Sequence, residues 1–120
     1  MEFVAARPEF GMGERLRTAF SAGEITRLCD CGCNSFDLRV DSRAAVKPLA
    51  APGNGGCIFQ MDFSARQVGE ISFCLFVDND GNFSGLDVFC LGSSVRVPEE
   101  IDVVEPPYRV ERATCLFRES

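Results

Sequence analysis

The chain has 120 residues, 46% hydrophobic and 25% charged, with a formal charge of −6 and a pI near 4.6. Those proportions describe one globular domain over residues 1–120 and exclude a disordered chain. The negative charge disfavours nucleic acid and anionic membranes, and the absence of histidine excludes Ser-His and Cys-His nucleophile pairs.

In chain order, Phe3–Ala6 predicts a short first strand ended by Pro8. From Gly11 to Ala22 the period becomes helical, with Met12, Leu16, Ala19 and Phe20 on one face and Gly23 placed to stop the helix. Phe36, Leu38 and Val40 alternate with Asp37 and Arg39, as a half-buried strand does. Residues 41–56 lose all period and are rich in Ala, Pro and Gly, so they read as a long mobile loop.

A second alternating strand puts Cys57, Phe59, Met61 and Phe63 on one face, and Ile58, Gln60, Asp62 and Ser64 on the other. Glu70–Val77 is apolar on both faces and belongs at the centre of a sheet; its Cys74 reads as plain core. Asp-Gly within Asp78–Asn82 signals a hairpin into the strand that carries Phe83, Leu86, Val88 and Cys90. Ile101–Val104 and Tyr108–Phe117 add one or two edge strands limited by Pro106 and Pro107. The expected fold is α+β: a mostly antiparallel sheet of about five to six strands with one N-terminal helix packed on it.

Charge is unevenly spread along this frame. Residues 1–60 balance seven acids against seven bases, whereas 61–120 set eleven acids against five arginines. Between Glu70 and Glu105, eight acids face only Arg96. A surface of that sign suits a basic protein partner. The candidate contact residues are Asp78, Asp80, Asp87, Glu99, Glu100, Asp102 and Glu105. Asp78, Asp80 and Asn82 resemble part of a calcium loop, but Phe83 and Phe89 stand where its glycine and glutamate belong.

The unusual local feature is Cys29, Cys31 and Cys33, three of seven cysteines, at alternate positions. On a flat strand their side chains would sit about 6.6 Å apart, too far for two sulfurs on one zinc, about 3.8 Å apart. The apolar residues after them occupy even positions, so a bend at Gly32–Ser35 is needed to keep one face buried. Free thiols, zinc ligands and a redox pair all remain open readings of this triplet. Glu2, Arg7 and Glu9 leave no apolar signal core in the first ten residues, so the expected location is the cytoplasm, with thiols reduced.

The cadence "LFVD" (Leu75–Asp78), Gly81, "SGLDV" (Ser84–Val88) and the Val97–Pro98 pair resembles small bacterial proteins of the toxin-immunity type. It covers about a third of the chain, residues 70–103. The resemblance implies a non-enzymatic binding module without a cofactor, acidic where the toxin is basic, and it carries over no individual residue. Read with the charge, it predicts an acidic protein-binding module that neutralises a basic toxin domain. The alternative is a metal- or redox-linked protein that uses Cys29, Cys31 and Cys33.

Overall fold

A computed structural model describes residues 2–28, 36–40, 47–53, 55–65, 69–90, 103–113 and 116. One sheet of six strands dominates: β1 (Gly23–Leu28), β2 (Phe36–Val40), β3 (Gly56–Ala65), β4 (Gly69–Val77), β5 (Phe83–Cys90) and β6 (Val103–Arg112). The spatial order is β1-β2-β5-β4-β3-β6 and every neighbouring pair is antiparallel. Two helices, α1 (Glu2–Ala5) and α2 (Gly13–Ala22), complete a broadly α+β molecule in which the sheet predominates.

The helices and the sheet bury a common core. Val4, Phe10, Met12, Leu16 and Ala19 meet Phe36, Leu38, Phe59, Met61, Phe63, Ile71, Phe73, Leu75, Leu86 and Val88. Aromatic rings tie the layers together: Phe3 stacks on Phe73 at 4.6 Å and meets Phe63 edge-on at 5.6 Å, while Phe20 meets Phe36 edge-on. The face of the sheet toward these helices is the inner face. Among the described residues no helix covers the outer one, and none is long and apolar enough to cross a membrane.

Several expectations are corrected here. Phe3–Ala6 forms no strand, because Glu2–Ala5 is a single helical turn that presses Val4 and Ala5 into the core. A run of four apolar residues carries no period that separates the two forms. Helical structure near the N-terminus is therefore two short elements, not one. The helix after it does end at Ala22, yet Gly23 stops it in extended geometry (φ −94°) and at once opens β1. A Cβ at Gly23 would lie 2.4 Å from the Leu38 side chain, so the glycine is needed for the close approach of β1 to β2.

β1 itself is an unexpected strand, since Ile25 and Leu28 in "GEITRL" break the two-residue period. β3 also departs from strict alternation. A register shift between Cys57 and Phe59 lets Ile58 and Phe59 both enter the core and leaves Cys57 exposed. β6 runs unbroken through Pro106 and Pro107, which its place at the sheet edge permits. Within 47–53, Leu49 and Ala50 are fully buried, and both their N–H groups donate to the Gly81 carbonyl.

Candidate functional site

Strand alternation decides what the open face presents. Opposite the core-facing side chains, β3 contributes Gln60, Asp62 and Ser64, and β4 contributes Glu70, Ser72, Cys74 and Phe76. On the same face, β5 adds Asp87, β6 adds Arg109 and Glu111, and β2 adds Asp37 and Arg39.

A polar knot sits in the middle of this face. Asp62 is 2% exposed and Ser72 is fully buried, an unusual place for a carboxylate. The Ser72 hydroxyl donates to Asp62 Oδ1. The Gln60 amide donates to Oδ1 at 3.1 Å and to Oδ2 at 3.3 Å, and Arg109 Nη1 lies 3.7 Å from Oδ2. Both carboxylate oxygens are thus occupied, so the buried charge is compensated. Asp62 thereby fixes Ser72, Gln60 and Arg109 around one buried carboxylate. Arg109 continues outward to Glu111.

Beside the knot stands Tyr108, the only tyrosine, with just over half of its surface open to solvent. Partial burial, then the negative charges of Glu70 and Asp62, hold its hydroxyl above the ordinary tyrosine pKa. Val104 and Val110, also on β6, are likewise exposed. An amphipathic ring next to a carboxylate and an arginine is the composition of a protein-contact patch.

The turn Asp78–Asn82 is a closed hairpin and not a cation loop. Asp78 Oδ1 accepts from the N–H groups of Asp80 (2.9 Å) and Asn82 (3.0 Å), and Gly81 takes the left-handed conformation (φ +83°). Asp78 and Asp80 are therefore neighbours, both exposed. Asp87 lies half-buried on the outer face opposite Cys74. Glu105 stands apart, on β6, where Arg7 clasps it at 2.6 and 2.7 Å. That bond holds the Glu105 carboxyl below the usual glutamate range. Glu99, Glu100 and Asp102 lie outside the described residues.

Pairing sorts the described acids into two groups. Glu9 and Glu105 belong to Arg7, Glu14 to Arg17, Asp37 to Arg27, and Asp62 and Glu111 to Arg109. Glu24 on β1 has no arginine or lysine in ion-pair range among the described residues, and neither have Glu70, Asp78, Asp80 and Asp87. The last four lie on the hairpin β4–β5, which contains no basic residue of its own.

Compared with known proteins, the chain matches no family model, no curated protein and no solved structure. Its chemistry therefore rests on its own residues.

Cys29, Cys31 and Cys33 lie outside the described residues, so the geometry of the triplet does too. Among the described residues no three metal-ligating side chains converge. Two other thiols stand close together on the outer face. Cys57 is exposed at the rim of an open cleft that Ile58, Phe59, Val110, Glu111, Arg112 and Ala113 complete. Cys74 is buried but outside the apolar cluster, and burial, then the neighbouring Cys57, pushes its pKa up to about 12. A thiol so placed stays protonated and is a poor nucleophile. Arg112, the cation of the cleft, is committed to the carbonyls of Glu9 and Phe10 at 2.9 Å each, its guanidinium over Phe59.

Alternation found the outer-face acids but not the knot or the contact patch. The spacing Gln60-x-Asp62, two side chains on one strand face, signals such a knot only once Ser72 is known to lie across from Asp62.

Proposed function

We propose that this protein is a non-enzymatic, acidic binding module that engages a basic protein partner through the outer face of the sheet around the hairpin β4–β5. The observation that carries this reading is the segregation of charge: among the described residues Glu70, Asp78, Asp80 and Asp87 have no ion pair and share one hairpin, while Asp37, Asp62, Glu105 and Glu111 on the other strands are held by arginines. Unpaired charge of one sign raises association rates and selects partners of the opposite sign. Affinity also needs an anchor, and Tyr108, exposed beside Glu70 and the Asp62 knot, fits that role. The cadence of residues 70–103 supports the narrower reading, an immunity protein that occupies and neutralises a basic toxin domain in the bacterial cytoplasm.

The test is a partner titration at two salt concentrations with wild type, Asp80→Asn/Asp87→Asn and Tyr108→Ala. The double neutralisation is expected to weaken binding mainly through a slower on-rate and to flatten the salt dependence. Tyr108→Ala is expected to raise the off-rate, with a loss of about 2 kcal/mol or more if Tyr108 is the anchor. Unchanged rates in both variants would refute the assignment of this face.

A further inference from the structure

The two edges of the sheet are built differently. β6 carries Pro106 and Pro107, which lack the N–H groups a further strand would need, and Arg7 lies across it through Glu105. β1, at the other edge, has neither proline nor lysine, and its Ile25 is 46% exposed. Its sequence, Gly-Glu-Ile-Thr-Arg-Leu, is self-complementary in charge when set antiparallel to itself. Gly23 then stands opposite Leu28, Glu24 opposite Arg27, and Ile25 opposite Thr26 of the second copy.

Whether Glu24 and Arg27 can meet depends on which faces they occupy. Residues three apart on a regular strand point to opposite faces, which would forbid the contact. The register shift between Ile25 and Arg27 removes that obstacle. Glu24 pairs in register with Arg39 and Arg27 with Asp37, both on the outer face, whereas Ile25 pairs with the buried Leu38. Glu24 and Arg27 thus share one face, and Ile25 lies on the other.

We propose that β1 is a self-association edge, through which two copies of this chain pair antiparallel about a two-fold axis and extend the sheet. In that pairing the outer face carries the row Arg39, Glu24, then Arg27 and Asp37 of the second copy, and the two-fold generates its mirror row. Signs alternate across all four strands, and Arg27, already 3.0 Å from Asp37, gains a second carboxylate. On the inner face the two exposed Ile25 side chains approach across the axis. Such an isologous contact closes on itself and does not propagate into fibres. The strand is six residues long, a contact of the small size, under roughly 1,200 Å², that characterises weak and transient association, so the dimer is populated only as concentration rises.

Sedimentation of the full chain tests this with Glu24→Arg and Arg27→Glu. Wild type is expected to shift from monomer toward dimer as concentration rises. Each variant alone would set like charges opposite each other twice and lose the dimer. An equimolar mixture of the two variants restores both ion pairs and is expected to recover a 1:1 heterodimer. Wild type that stays monomeric at every concentration overturns the proposal, as do variants that dimerise like wild type or a mixture that stays monomeric. Amide exchange of wild type gives a reading independent of variant folding: slower exchange in residues 23–28 at high concentration supports the edge pairing, and concentration-independent exchange refutes it.

Discussion

Asp62 shows how one residue can look ordinary in sequence and carry unusual weight in the fold. Alternation alone places it outward, where an aspartate is normally solvated; instead it is 2% exposed and accepts from Ser72 and Gln60. Asp62→Ala leaves those buried donors unsatisfied, and the expected loss is about 1–3 kcal/mol by chemical denaturation, with Arg109 and Tyr108 also loosened. Cys74 makes a second expectation at this scale. Its thiol is held in the neutral form with a pKa of about 12, above that of an unfolded cysteine. The stability this contributes is fully present below the unfolded thiol's pKa and is lost as pH rises from there toward 12. In native protein, Cys57 should be alkylated rapidly and Cys74 only on unfolding, as peptide-level mass spectrometry would read. Glu105 has the opposite sign. Arg7 depresses its pKa, so the bond's contribution is full above the ordinary glutamate range and fades as pH falls through the lowered value. Arg7→Met is expected to flatten the acid limb of stability against pH.

At the scale of elements, the residues that were legible are those whose period extends far enough to be unambiguous. Phe36, Leu38 and Val40 on β2, the apolar β4, and the Asp-Gly turn between β4 and β5 all lie where alternation and turn chemistry put them. The failures have local causes. Phe3–Ala6 is too short to express a period; β1 and β3 each carry a register shift that breaks alternation at one position. β6 crosses two prolines because an edge strand needs ladder bonds on one side only. The β4–β5 turn also does more than reverse the chain. Gly81, at φ +83°, receives the Leu49 and Ala50 N–H groups on its carbonyl, and an added Cβ would lie 1.9 Å from the Ala50 carbonyl oxygen. Gly81→Ala is therefore expected to cost roughly 1–3 kcal/mol for the left-handed backbone alone. Ejection of Leu49 should add to this, visible as lost amide protection at residues 49 and 50.

Across the whole molecule, total charge was legible at once, but its distribution was not. Eight acids between Glu70 and Glu105 read in sequence as one acidic surface. In the fold Glu105 is withdrawn by Arg7 on β6, while Asp78, Asp80 and Asp87 stay with Glu70 on one hairpin that makes no ion pair among the described residues. Sequence separation could not show this, since Arg7 and Glu105 are 98 residues apart. Nor could it show the anchor, because Tyr108 joins Glu70 only when β3 bridges β4 to β6.

The most direct measurement compares affinity capture from native cells by wild type and by Glu70→Gln/Asp80→Asn/Asp87→Asn, followed by titration of the proteins that differ. The binding reading expects the lost proteins to be basic and their affinity for wild type to fall steeply with salt. The same proteins retained by both baits, with equal and salt-independent affinity, would contradict it.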